Sequence, residues 1–199
     1  MINENTPLLQ TERLILRKLT PNDITPLFEL LSDEDVNTFL PWFPVKTPEE
    51  TAVFLQQRFL SYYDKPSAYQ YAVCLKETNI PIGYVWLSGT ESNDFGYALK
   101  KEYWHTGITT EASLAAVGRI REAGYPFITA THDIHNPHSG DVMKKIGMHY
   151  RYSYVEQWQP KNFPVTFRMY QLNFGQDRDR TYMKYWGQYP HHFIEADIK

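Results

Sequence analysis

In the segment from Tyr97 to Ala112 a β-rich run passes through a tight turn containing Gly107 and continues as a helix. The first amides of a helix have no intrahelical acceptor and lie at the positive end of its dipole. Such a junction can therefore hold a phosphate or pyrophosphate without a single lysine. Trp104-His-Thr-Gly-Ile-Thr-Thr110 is too short for a Walker loop and lacks its Gly-Lys-Ser/Thr ending. It also lacks the three spaced glycines of a dinucleotide fingerprint. Taken alone, the turn also reads as an ordinary strand-turn-helix connection. A second group, His132, His135 and His138 with Asp133 among them, has a spacing that invites a metal. The series runs from a strand end through a loop into a helix, so its imidazoles share no face as they do in a His-Glu-x-x-His helix. No metal site is expected, and His138 is placed at the rim of the anion site instead.

Composition narrows the class. The chain has 199 residues, 42% hydrophobic and 16% aromatic, enough for one domain with a sizeable core. A net charge of −3 gives no electrostatic basis for binding nucleic acid. Cys74 is the single cysteine, which excludes an intrachain disulfide framework and a cysteine-rich zinc centre and suits a reducing cytoplasm. The first residues show no basic stretch ahead of an apolar core, and no apolar run approaches membrane-spanning length. A soluble, cytoplasmic protein without a membrane partner is expected.

The elements that must position the turn follow from periodicity and caps. Arg13–Arg17 reads as a first strand. Thr20-Pro21 and Thr47-Pro48 each place a hydroxyl cap before a proline at the first helical position, so helices begin there. Between them, Thr38–Pro44 is an aromatic, proline-broken loop, either a plug under the helices or, through Trp42 and Phe43, a wall for a bound substrate. Tyr69–Leu75 and Ile80–Leu87 form a hairpin turning at Thr78 and Asn79, and Phe95–Leu99 is the next strand. Ile108, Ala112, Ala116, Ile120 and Ala123 make a helix face of mostly small residues, closed by Gly124. Phe127–Thr131 is a strand, and Asn136-Pro137 opens a helix that stops at Gly147. Tyr150–Gln159 and Val165–Phe174 are the last strands. The order predicts an α+β domain, a central mixed and mostly antiparallel sheet with helices on both faces, over residues 1–174. Residues 175–199 carry Tyr182, Tyr185, Trp186, Tyr189 and Phe193, too aromatic for a disordered tail, and are expected to dock on the domain.

Three stretches in the right order resemble the GNAT superfamily of N-acetyltransferases. The first is the turn, which matches the acyl-CoA loop pattern Gln/Arg-x-x-Gly-x-Gly/Ala at Gly107, with Trp104 at the Gln/Arg place, His105 where many members carry Gly, and Thr109 at the Gly/Ala place. The second is Asn136-Pro-His-Ser139 through Val142–Met148, similar to the family's second cofactor helix. The third is Thr11–Arg17, similar to the first strand of the branch containing ribosomal-protein N-terminal acetyltransferases.

The resemblance implies direct transfer of an acetyl group from acetyl-CoA to a primary amine, a peptide N-terminus or a small molecule, in a ternary complex without a metal. Cofactor contacts then fall on Ala98, Leu99, His105, Thr106, Gly107, Ile108, Thr109, Thr110, Asn136 and Ser139. A base must deprotonate the amine, and Glu156 is the nearest carboxylate on the penultimate strand, two residues from Trp158 and on the same face. Many GNAT enzymes protonate the leaving thiolate with a Tyr on the second cofactor helix. Met143 stands there, and Ser139 matches the hydroxyl that the ribosomal branch offers instead. Trp42 and Phe43 would favour a peptide or hydrophobic amine over a polycationic aminoglycoside. The departures at His105, Thr109 and Met143 motivate a rival expectation, a non-catalytic acyl-CoA sensor. No nucleic-acid partner is expected, and a homodimer is left open.

Overall fold

Caps written into the sequence fix where the helices start. In the computed structural model, which describes residues 4–65 and 69–198, the Thr47 hydroxyl accepts from the Glu50 amide at 3.3 Å and Asn136 Oδ1 accepts from the Ser139 amide at 3.4 Å. Asp23 accepts from the Thr20 amide at 2.8 Å and takes a bidentate ion pair from Arg17, which ties this corner to the first long strand. The chain runs β1 (Leu9–Gln10), β2 (Leu14–Arg17), a 3₁₀ turn at Pro21–Asp23, α1 (Ile24–Ser32), α2 (Glu34–Asn37) and α3 (Pro48–Arg58). Then come β3 (Tyr69–Leu75), β4 (Pro81–Leu87), β5 (Phe95–Leu99), α4 (Ile108–Glu122), β6 (Phe127–Asp133) and α5 (Pro137–Lys145). The last elements are β7 (His149–Trp158), β8 (Phe163–Asn173), α6 (Lys184–Gln188) and β9 (His192–Phe193).

Strand alternation sends apolar side chains to both faces of the first sheet. Leu14, Leu16, Tyr71, Val73, Val85 and Leu87 meet α4 and α5 through Ile108, Ala112, Ala116, Ile120 and Met143. On the opposite face Ala72, Cys74 and Tyr84 meet Leu27, Leu30 and Leu31 of α1 and Leu55 of α3. The α+β architecture with helices on both faces is as expected. The sheet itself is two antiparallel sheets, ordered β1-β2-β3-β4-β5 and β6-β8-β7-β9, joined among the described residues by one parallel bridge at Asp94 and Thr129.

On one face of the second sheet, among the described residues, the cover comes from the C-terminal segment and not from a helix of the main body. Tyr152, Tyr154, Trp158, Phe167 and Met169 are covered there by Tyr182, Tyr185, Trp186 and Tyr189 of the C-terminal segment. That segment is anchored by β9 pairing with β7, and by Glu195, which takes a bidentate ion pair from Arg168 at 2.7 and 3.0 Å. Both α6 and β9 are too short to leave a periodic signal in the sequence.

Candidate active site

The site begins where the two sheets part. The Thr129 amide donates to the Asn93 carbonyl at 3.1 Å, the Thr129 hydroxyl donates to the Ser92 carbonyl, and Asn93 Nδ2 donates to the Phe127 carbonyl. Beyond this clamp β5 and β6 make no further ladder pairs among the described residues, so the edge of β5 facing β6 is unpaired by β6 over Phe95–Leu99, with only the Leu99 carbonyl taken, by the Trp104 indole. A free edge offers alternating N–H and C=O groups to an extended ligand. Gly96 is needed here for a different reason: a Cβ would stand 1.9 Å from the Trp86 indole nitrogen, which packs over it. A cleft of about 660 Å³ opens in the gap.

One end of the cleft is the start of α4. Gly107 caps that helix with φ of 82°, a conformation that costs a non-glycine residue about 1–2 kcal/mol. The amides of Ile108, Thr109 and Thr110 follow, the first in the helix and without intrahelical acceptors. His105, Gly107, Ile108, Thr109 and Thr110 line the cleft, as do Ala98 and Leu99. Thr106 does not; its hydroxyl donates to the Tyr103 carbonyl and its carbonyl accepts from Arg13. Thr106 thus braces the turn from behind. Arg13 is held in turn by Glu111, at 2.7 Å, so the residue just ahead of β2 fixes the first turn of α4. Trp104, at the Gln/Arg place of the loop pattern, folds back and donates its indole N–H to the Leu99 carbonyl at 2.8 Å.

Across the gap lies the start of α5. Asn136 caps it, and both Asn136 and Ser139 line the cleft. The Tyr97 phenol reaches over from β5 and donates to the Ser139 carbonyl at 2.7 Å. With its one proton so used, the phenol oxygen accepts from Ser139 Oγ at 2.9 Å. Burial holds the Tyr97 proton on, well above the ordinary phenol range. Ser139 therefore carries a proton at the midpoint of the cleft, backed by a neutral phenol. His105 and His138 meet edge to face at the rim, 4.7 Å between ring centroids.

The opposite end of the cleft is aromatic and acidic. Tyr154, Glu156 and Trp158 alternate along β7 and face it together, with Phe167 of β8 beside Tyr154. Tyr185 and Tyr189 close over them, Tyr189 stacked on Tyr154 at 4.7 Å. Burial raises the Glu156 carboxyl above its usual range, a rise the Tyr189 hydroxyl bond partly offsets. Asp94 also faces the cleft, and no side chain donates to its carboxylate among the described residues. Burial alone pushes it up to about 7. Trp42 lines this region, with its N–H on Asn37 Oδ1 at 3.1 Å, whereas Phe43 is 61% exposed and lies outside the lining.

The raised Asp94 carboxyl makes a prediction that needs no substrate. An unfolded Asp titrates near ~3.9, so below that pH both states are protonated, and burial of the charge destabilises the fold increasingly from there to about 7. Relative to wild type, Asp94→Asn should therefore gain stability at pH 8 that it does not gain at pH 4, read from urea unfolding at the two values. An equal shift at both would mean the carboxylate is solvated.

A family model described as Acetyltransferase (GNAT) domain matches residues 13–149. The chain belongs to this family. Among curated proteins it is 25% identical over 109 residues to the uncharacterized N-acetyltransferase YoaA of Bacillus subtilis (strain 168), a match covering 53% of this chain. The match spans 61% of YoaA, less than two thirds of that relative's length. Among solved structures, a GNAT-family acetyltransferase from Bacillus anthracis superposes with a TM-score of 0.74 at 24% identity, covering 84% of this chain and 99% of that one. RimL, a ribosomal L7/L12 alpha-N-protein acetyltransferase in complex with coenzyme A, superposes with a TM-score of 0.73 at 17% identity, covering 84% and 98%. At these identities the two structures show a shared fold, the GNAT fold.

Within this GNAT fold the three histidines go separate ways. His132 is buried with Nδ1 against the Asp133 carbonyl, His135 is 78% exposed and pairs with Asp133, and His138 sits at the rim. Among the described residues no cluster of three His, Cys, Asp or Glu could hold a metal. No helix among them is long and apolar enough to cross a membrane. Asp94 and Tyr97 are the site residues that sequence reasoning missed. Asp94 stands directly before the strand that borders the gap, which was a usable signal; Tyr97 alternates with Phe95 and Leu99 and reads as core.

Proposed function

We propose that this GNAT protein transfers the acetyl group of acetyl-CoA to a primary amine, a peptide N-terminus or a small molecule, by direct attack in a ternary complex. The observation that carries the reading is a single continuous cleft that joins the unpartnered amides of α4 to two part-buried carboxylates, past a free strand edge. The α4 amides hold pyrophosphate, and the free edge of β5 pairs with the amides of the pantetheine arm. That RimL, which shares the fold, binds coenzyme A supports this assignment.

Each residue then has a task. An alkylamine with a pKa near ~10.4, or an α-amine near ~8, arrives wholly or partly protonated and must lose a proton before it attacks. Asp94 and Glu156 receive it, and a carboxyl near 7 suits that work at neutral pH. The Leu99 N–H, on the edge of β5 away from β4, meets the thioester oxygen as negative charge develops on it, while the Ala98 N–H stays in the ladder with Tyr84. Ser139 Oγ turns from Tyr97 to give its proton to the departing thiolate, a modest benefit because a thiol has a pKa of only ~8.5. Phe43 remains outside this scheme, and Trp42 supplies apolar wall.

Calorimetry with acetyl-CoA, run beside a thiol-release assay over an amine panel, tests the reading. Binding with release of coenzyme A in at least one amine is expected. Binding without release for every amine would support the sensor, and absence of binding would overturn the cofactor assignment itself. In the same assay Ser139→Ala should lower turnover by roughly tenfold while leaving affinity for acetyl-CoA nearly unchanged, since a weak acid requirement limits its share.

A further inference from the structure

Resting on the acetyltransferase reading, we infer that the acceptor is a compact monoamine with an apolar or aromatic body, held in a chamber that the C-terminal segment and Lys161 close against polypeptides and polycations.

The chamber has three sides. Tyr154 forms its floor, with Phe167 at 5.7 Å and Tyr185 at 5.3 Å between ring centroids and Tyr189 stacked on it. The wall made by Tyr185 and Tyr189 is fixed in place. The segment carrying it is pinned at one end where Gln171 takes the Tyr182 amide at 2.8 Å, and at the other by β9 and Glu195. The third side is a strap. Lys161, in the turn between β7 and β8, donates to the Asn37 and Thr38 carbonyls at 2.7 and 2.9 Å, and its ammonium lies 5.1 Å over the Trp158 ring. Val36 and Phe39 on one side of that link and Trp158 on the other all line the cleft. The strap thus crosses from the β7–β8 hairpin to the α2 segment at the acidic end, where a chain longer than a residue or two would have to leave.

Charge decides the rest. Asp94 and Glu156 face the chamber and attract one ammonium group, while the aromatic walls offer apolar area and cation–π contact around it. Two other carboxylates line the cleft, and neither serves a second ammonium in the chamber. Asp35 is paired with Lys101 at 2.5 Å, and Asp141 stands on α5, on the far side of the gap. Spermidine brings three ammonium groups against the two carboxylates of the chamber, so at least one would meet aromatic walls without a counter-charge, and desolvating it there is costly.

The experiment uses the full chain with 2-phenylethylamine, spermidine and a hexapeptide with a free amino terminus. Binding of each to the protein saturated with coenzyme A is measured by calorimetry, and acetylation with acetyl-CoA is measured by mass spectrometry. Phenylethylamine should bind and react with an advantage of at least about tenfold over the other two, a margin that a filled apolar pocket supplies. Tyr189→Ala should weaken phenylethylamine binding by a similar factor, and Tyr189→Phe much less, because the wall acts by area. Lys161→Ala should raise the relative rate with the hexapeptide. Preference of the wild type for the peptide or for spermidine would overturn the inference, as would failure of phenylethylamine to bind. Binding with the stated preference but without acetylation would leave the chamber assignment standing and overturn the acetyl-transfer reading alone.

Discussion

Asp94→Asn and Glu156→Gln are each expected to lower turnover by roughly a hundredfold or more, with acetyl-CoA affinity nearly unchanged. Both carboxylates face the end of the cleft that the acceptor occupies in this account, away from the α4 amides, so their loss touches proton transfer and not the cofactor. The substitutions keep size while removing both the negative charge and the ability to accept a proton, so acceptor affinity is read beside turnover. The pH profile separates catalysis from packing. The wild-type rate should rise through about 7 as the Asp94 carboxyl ionises, because only the carboxylate form accepts a proton. Asp94→Asn should lose that limb. The double variant should fall little below the worse single variant if the two act as a unit. Near-wild-type rates in both single variants would leave solvent as the acceptor of the proton.

The second large effect is expected at the cofactor end. Gly107→Ala places a Cβ where there is room, 3.6 Å from Arg13 Nη2, so crowding is not the issue. The obstacle is φ of 82°, which costs alanine about 1–2 kcal/mol and is relieved only by moving the amides that follow. Acetyl-CoA affinity should drop by about five- to thirtyfold, since 1.4 kcal/mol is tenfold. Gly107→Pro should cost more, because proline holds φ near about −65° and removes an N–H. Gly118→Ala, inside α4 where a Cβ meets nothing within 4 Å, should stabilise the helix and leave affinity alone. Calorimetry on the folded variants reads all three. Unchanged affinity in Gly107→Ala would remove the α4 start from the cofactor site.

The α4 end of the cleft was more legible in the sequence than the end lined by Asp94 and Glu156, for a physical reason. Its geometry is local: a cap, a proline at the first helical position, or a glycine with positive φ writes itself into a few adjacent residues, as at Thr47, Asn136 and Gly107. The same locality placed β3 and β5 at their observed limits. Asp94 is different. Its place directly before β5 marks it as near the gap, but its chemistry comes from burial near Tyr182, Tyr185 and Tyr154, residues far along the chain, which no local pattern shows. Tyr97 likewise reads as one more apolar-face residue until α5 brings Ser139 against its hydroxyl. Phe43 shows the converse, an aromatic residue of the Thr38–Pro44 loop that the chain turns outward.

The central claim is that this cleft moves an acetyl group from acetyl-CoA to an amine. The most direct test incubates the protein with acetyl-CoA carrying an isotopically labelled acetyl group and with a small-molecule and peptide extract, then searches by mass spectrometry for labelled products. Labelled N-acetyl amines that form with the wild type, and far more slowly with Asp94→Asn, are the predicted result. Tight acetyl-CoA binding with no labelled amine in any fraction would contradict the account.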